Sequence, residues 1–177
     1  MKITPDIFLT SDTHFGHQNM VNWGQRTASF NEDIVKAWNS VVSEKDTILH
    51  LGDLTMTNKA NTKNWTDRLN GNKYLILGNH DDRSEAWYKD CGFTVIPDAH
   101  EGYTDKYDKW IDYLFTHEPI SNLPENWFNV HGHLHGNEHR GILPDKSKYI
   151  DVGVDAIGFT PKRLYEIMAL LNTKKNG

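Results

Sequence analysis

The 177-residue chain has 37% hydrophobic side chains, with 6 Trp, 7 Tyr and 7 Phe, enough apolar material for one core of the usual domain size of roughly 100–200 residues. A charged fraction of 24% and a net charge of −5 exclude both a disordered polyelectrolyte and a strongly basic nucleic-acid surface. No apolar run approaches the roughly 18 residues of a membrane span, Ile7-Phe8-Leu9 is too short for a signal-peptide core, and the single cysteine, Cys91, excludes an intramolecular disulfide or thiolate metal cluster, so a cytoplasmic, non-membrane protein is expected.

Asp6 to Thr10 is a short β-type run that breaks into the polar string Ser11-Asp-Thr-His-Phe-Gly-His17. Asn31 is placed to cap a helix whose apolar positions Ile34, Val35, Trp38, Val41 and Val42 recur at three and four residues, ending near Ser43. Asp46 to Leu51 forms a second strand, broken by Gly52-Asp53. An amphipathic helix is expected from Asn58 to Leu69, stopping at Gly71-Asn72. Lys73 to Leu77 is a third strand, broken by Gly78-Asn79-His80-Asp81, and a helix from Ser84 to Cys91 is terminated by Gly92. This alternation predicts parallel strands with crossovers, and ligands beyond their carboxyl ends.

The second half differs. Strands are expected at 93–96, 110–115, 128–131 and 149–154 with little helix between them, which predicts a second, largely antiparallel sheet. Residues 98–109 are expected to form a hairpin or mobile loop. Pro161 at a first helical turn, followed by Leu164, Ile167, Met168 and Leu171, predicts a C-terminal helix, with 173–177 as a flexible tail after a single domain of 1–172. The expected fold class is α/β, with two facing mixed sheets flanked by helices.

Ten histidines are the compositional anomaly, and most lie at the predicted strand exits. Asp12-Thr-His14 sets two ligand types two residues apart, and His133-Leu-His135 repeats the device between Gly132 and Gly136. Asp53, Asn79 and His117 stand at three further exits. Any one of these is ordinarily an N-cap, a turn residue or a satisfied core histidine. Five coincident exits would bury many imidazoles and carboxylates together, and metal ions satisfy such a set at lower desolvation cost.

Asp12-x-His14, Gly52-Asp53, Gly78-Asn79-His80-Asp81, His117 and Gly132-His133-x-His135 together resemble the five blocks of the calcineurin-like metallophosphoesterase superfamily, in its small stand-alone bacterial and phage form. The resemblance implies a four-layer α/β/β/α sandwich and two metals. Asp12, His14, Asp53 and His135 would hold the first ion, and Asp53, Asn79, His117 and His133 the second. Mixed oxygen and nitrogen donors without thiolate favour Mn²⁺, Fe²⁺ or Zn²⁺ over Mg²⁺ or Ca²⁺, availability deciding among the former; Mn²⁺ is the leading choice, with Fe²⁺, Zn²⁺ or Ni²⁺ as alternatives. Two divalent ions against the carboxylates of Asp12 and Asp53 would leave about +2, or about +1 with a bridging hydroxide, a place for an anion.

The resemblance therefore implies hydrolysis of phosphate mono- or diesters, with small nucleotides or nucleic-acid ends as the substrate class, by attack of a hydroxide bridging the ions. It places His80 near the leaving group as proton donor or transition-state stabiliser, with Asp81 to orient it. His17, Arg26, Arg83 and Arg140 each follow a block and are candidate phosphate contacts, although solvated surface positions explain them equally. The run Gly52-Asp-Leu-Thr-Met-Thr-Asn58 lacks the second acid and the arginine of the protein serine/threonine phosphatases, which disfavours that activity. An inactive binding scaffold is the alternative, but no ligand position is substituted. A metallo-β-lactamase-like enzyme would need a His-x-His-x-Asp-His string, which is absent.

Overall fold

A computed structural model describes residues 1–23, 25–104, 110–137 and 145–174. The first sheet has the order β4 (Phe93–Val95), β3 (Asn72–Leu75), β2 (Thr47–His50), β1 (Phe8–Thr10), β9 (Lys162–Arg163). Its strands β1, β2, β3 and β4 run parallel, and β9 closes it antiparallel to β1. Between them come the helices α1 (Gln18–Asn22), α2 (Phe30–Val41), α3 (Lys59–Thr66) and α4 (Glu85–Asp90). The second sheet comprises β5 (Ala99–Thr104), β6 (Trp110–Phe115), β7 (Trp127–His131) and β8 (Tyr149–Asp151) in sequential order.

Neighbouring residues of β1 and β2 serve opposite faces. Leu9 and Leu49 join Ile111, Tyr113, Phe115, Phe128 and Val130 in the core between the sheets. Phe8 and Ile48 face the other way, onto Phe30, Ile34, Val35 and Trp38 of α2 and Tyr88 of α4. A sheet covered on both faces has no polar face to show, which is why these strands read as continuous apolar runs. In β6 the alternation is visible instead: Ile111, Tyr113 and Phe115 are buried and the residues between them are half-buried.

The expected antiparallel second sheet is corrected. Among the described strands of this sheet only β5 pairs antiparallel, with β6, so 99–104 is a strand where a hairpin or mobile loop was expected over 98–109, whereas β6–β7 and β7–β8 are parallel. Loop rather than helix returns the chain from β6 to β7, so a parallel crossover left no helical period to detect. Asn31 is not the helix cap. Its Oδ1 accepts the N–H of Gly16 at 3.0 Å, and α2 starts at Phe30 after Ser29. Asn58 and Ser84 do cap their helices, accepting from the N–H of Asn61 and Trp87. Pro161 precedes β9 instead of opening a helix, because pairing with β1 holds Lys162 and Arg163 extended. The last helix, α5 (Leu164–Lys174), therefore begins later and runs into the expected tail, sending Leu164 and Ile167 into the inter-sheet core. Among the described residues no helix is long and apolar enough to cross a membrane.

Candidate metal centre

The loops leaving β1, β2, β3, β6 and β7 bring Asp12 and His14, Asp53, Asn79 and His80, His117, and His133 and His135 to one place. The first two loops are laced together: the N–H of Asp12 donates to Gly52 O and that of His14 to Asp53 O, each at 3.0 Å. Extended strand ends would have pointed Asp12 and His14 the same way. In fact both residues have left the strand conformation. Among the described non-glycine residues with positive φ, five are Asp12, His14, Asp53, His133 and His135, with φ between 46° and 69°. Such backbone costs energy outside glycine, and its concentration on the predicted ligands marks a built site. Close packing adds a second constraint, since a Cβ on Gly78 would strike Asp53 and one on Gly132 would strike Ser11 and Asp12.

Among the described residues, two groups of side chains could hold a metal ion: Asp12, His14 and His135, and Asp12, Asp53 and His117. Asp53 Oδ2 lies 3.4 Å from His14 Nε2 and 3.5 Å from His117 Nε2, so it stands between the groups. Asp12 Oδ1 is 3.9 Å from His14 Nε2 and 3.8 Å from His135 Nε2. Asn79 Oδ1 is 3.0 Å from His117 Nε2 and 2.9 Å from His133 Nδ1, which brings the remaining predicted pair to the His117 side. Asp12 Oδ1 and both ring nitrogens of His14 are buried with no hydrogen-bond partner among the described residues. Leaving such atoms unmatched is costly, and a cation would satisfy Asp12 Oδ1 and a ring nitrogen of His14. The donor set therefore fits a pair of divalent ions.

Electrostatics agree. In the metal-free protein burial raises the Asp12 carboxyl to about 6 and lowers His14 to about 2. Burial also opposes charge on Asp53 and His117, but their mutual contact outweighs it, holding Asp53 well below the carboxylate range and raising His117 to about 9.

A ring of hydrogen bonds aims these ligands. His117 Nδ1 lies 2.7 Å from Leu51 O, so an N–H there donates to the carbonyl and leaves Nε2 facing Asp53. His135 Nδ1 lies 2.8 Å from Asp155 Oδ2. Asp155 also receives Arg26 through Nε and Nη2, and Arg26 donates to the carbonyls of Asp12 and Thr13 at 2.7 Å each. The Arg26 side chain is fully buried, which turns it away from the site mouth. Asp155 was missed in the sequence, although it follows the apolar run 149–154 as the other site acids follow theirs. Asp81 accepts from the N–H groups of Asp53, Gly78 and Leu54 and from the Tyr88 hydroxyl. Its carboxylate is thus engaged by the loops and not by the His80 ring.

His80 is exposed at the rim, its ring 5.6 Å from that of His14, and its N–H donates to Asp53 Oδ1 at 2.9 Å. His17 lies 5.4 Å from His14, ring to ring, and 5.7 Å from Trp23. Arg83 shares with His80 a recess of about 100 Å³ and pairs with Asp82 at 3.1 Å. Arg140 lies outside the described residues. Of the two histidines preceding ligand loops, His50 bonds Thr13 Oγ1 and His131 bonds Gly132 O.

Carboxylates, imidazoles and an amide gathered at strand ends of an α/β sandwich define a protein of the metallophosphoesterase fold with a candidate dinuclear centre. The family's sequence pattern, calcineurin-like phosphoesterase, matches residues 5–160, and the chain belongs to that family. It is 34% identical over 182 residues to an uncharacterized protein of Methanocaldococcus jannaschii, covering 96% of this chain and 93% of that one. Over 80 residues it is 35% identical to the gene 66 protein of Mycobacterium phage L5, covering 42% and 39%. The crystal structure of a protein of unknown function from Aquifex aeolicus superposes with a TM-score of 0.71 at 27% identity, over 93% of this chain and 98% of that one.

Proposed function

We propose that the protein is a dinuclear metal-dependent phosphoesterase that hydrolyses phosphate mono- or diesters, with small nucleotides or nucleic-acid ends in its substrate class. The observation that carries this is the position of Asp53 Oδ2 between His14 and His117, beside the unpartnered Asp12 Oδ1. Asp12, His14, Asp53 and His135 would hold one ion and Asp53, Asn79, His117 and His133 the other; such oxygen and nitrogen donors suit Mn²⁺, Fe²⁺ or Zn²⁺ over Mg²⁺ or Ca²⁺, and Mn²⁺ is the metal proposed. Bound there, the ions would supply Lewis acidity to the phosphoryl oxygens and an activated water for in-line displacement.

The chain's own groups do the rest. His80, exposed and free to reach over the rim, donates a proton to the leaving oxygen. His17 and Arg83, on the same flank, contact phosphoryl oxygens, and Arg140 is kept in this reading as a further contact candidate from the sequence. Arg26 positions the Asp12 loop from beneath, and Asp81 positions the Asp53 loop. A cytoplasmic setting is part of the proposal, since the one buried thiol, Cys91, needs no oxidising compartment.

The test is a side-by-side assay of an aryl monoester, an aryl diester and a cyclic nucleotide after chelation and reloading with Mn²⁺, Zn²⁺ or Ni²⁺. Hydrolysis of at least one that needs metal and is abolished, together with metal uptake, in Asp53→Asn is expected. Turnover that survives chelation, or none with any metal, would overturn the assignment.

A further inference from the structure

Two neighbouring clefts share Leu77 and Asp98 in their walls, so we treat them as one groove, and the first of them opens on the candidate ligands. The first, of about 320 Å³, touches Asn79 and His117 and is walled by Leu77, Ile120, Asp98 and Glu118. Leu77 and Asp98 also border the second, of about 400 Å³, whose further walls include Ile96, Pro97 and Glu85. Each volume is of the size used for small-molecule recognition. One exposed aliphatic side chain carries little information. Here Leu77 and Ile120, 38% and 40% exposed, line the same groove beside two ligand residues.

The charge of the groove is one-sided. Asp98, Glu118 and Glu85 contribute carboxylates, and none of the described residues lining it is lysine or arginine. Arg83, one of the proposed phosphoryl contacts, lines the separate recess beside His80 and not this groove. A phosphate seated at the ligands would direct one of its ester substituents along the apolar walls. A second phosphate lying further along the groove would meet these carboxylates with no lysine or arginine among the described lining residues to offset them, and such like-charge juxtaposition rejects a ligand more effectively than weak contacts select one.

Resting on the phosphoesterase reading, we infer that this groove receives the organic ester group of the substrate and selects a neutral or cationic group with apolar surface over one that bears a further phosphate. The preferred substrate is then a small organic phosphodiester, and a nucleic-acid end with its next phosphate lying in the groove is disfavoured.

Three diesters with the same p-nitrophenol leaving group and a second ester of phenyl, choline or phosphoethyl separate the cases, assayed with the Mn²⁺-loaded protein. The phenyl and choline esters should exceed the phosphoethyl ester by about tenfold or more in kcat/KM at low salt, a gap that narrows as salt screens the carboxylates. Asp98→Asn combined with Glu118→Gln should close most of that gap while metal analysis still finds both ions. Leu77→Ser should raise KM for the phenyl ester with kcat little changed. Equal turnover of all three esters, or a gap untouched by the double variant, overturns the groove assignment and leaves the phosphoesterase reading standing. Hydrolysis of none of them under any metal overturns both.

Discussion

The carboxylate of Asp81 accepts the backbone N–H of Asp53 at 2.7 Å, and with the N–H groups of Gly78 and Leu54 it clasps two of the loops that carry candidate ligands. Burial raises its pKa, and the backbone N–H bonds work against that shift. In Asp81→Asn an amide would turn N–H toward N–H at one or more of these contacts. The metal-free protein should lose about 1–3 kcal/mol, the cost of leaving buried donors unmatched, and bind metal more weakly. Thermal or denaturant unfolding with a metal titration checks this. Unchanged stability and affinity with a lost kcat would instead make Asp81 a partner of His80.

The site was largely legible because strand exits punctuate the sequence: each of Asp12, Asp53, Asn79, His117 and His133 follows an apolar run by a few residues. The helices beginning near Asn58 and Ser84 were legible for a similar local reason, since Gly71 and Gly92 punctuate their far ends. Asp81 and Arg26 were given outward roles, since sequence shows their proximity to the blocks but not that their partners are backbone groups of distant loops. The direction of β7 was equally hidden, because a loop crossover and a hairpin return look alike in composition. The left-handed backbone at the ligands has no compositional sign either, for these positions need aspartate and histidine for their donors and accept the strain.

Asp155 holds His135 Nδ1 and the Arg26 guanidinium at once, tying the β7 loop to the β1 loop. Replacing it with Asn keeps the size but removes the charge that faces Arg26. Metal affinity should fall by about 10–100-fold, the usual effect of losing a partner that orients a ligand, with the loss seen by calorimetric titration of the metal-free protein. Asp155→Glu should restore part of it. Full affinity in Asp155→Asn would show that His135 is aimed by packing alone.

His80 contributes its backbone N–H to Asp53 but its ring to no side chain among the described residues' hydrogen bonds. His80→Ala should therefore keep both ions while lowering kcat by about 10²–10⁴-fold, the scale of a general acid. The loss should be largest for esters with poor leaving groups, which need the proton most, and small for p-nitrophenol. An equal loss for both, or depleted metal, would move His80 out of that role.

His50 is fully buried against Thr13 Oγ1, and burial lowers its pKa from 6.5 to about 3. The unfolded chain therefore binds a proton at this position over a range where the folded chain does not, so stability falls as pH drops below 6.5 and the loss ends near the folded pKa. Replacing His50 with Gln, which can keep a bond to Thr13, removes this titration. Between pH 6.5 and about pH 4 the metal-free wild type should lose up to about 3 kcal/mol more than the variant, as an upper bound for one group. Urea unfolding of both proteins across that range measures the difference in slope. Parallel curves would mean that His50 charges without opening the fold, and that the acid sensitivity of the metal-free protein arises elsewhere.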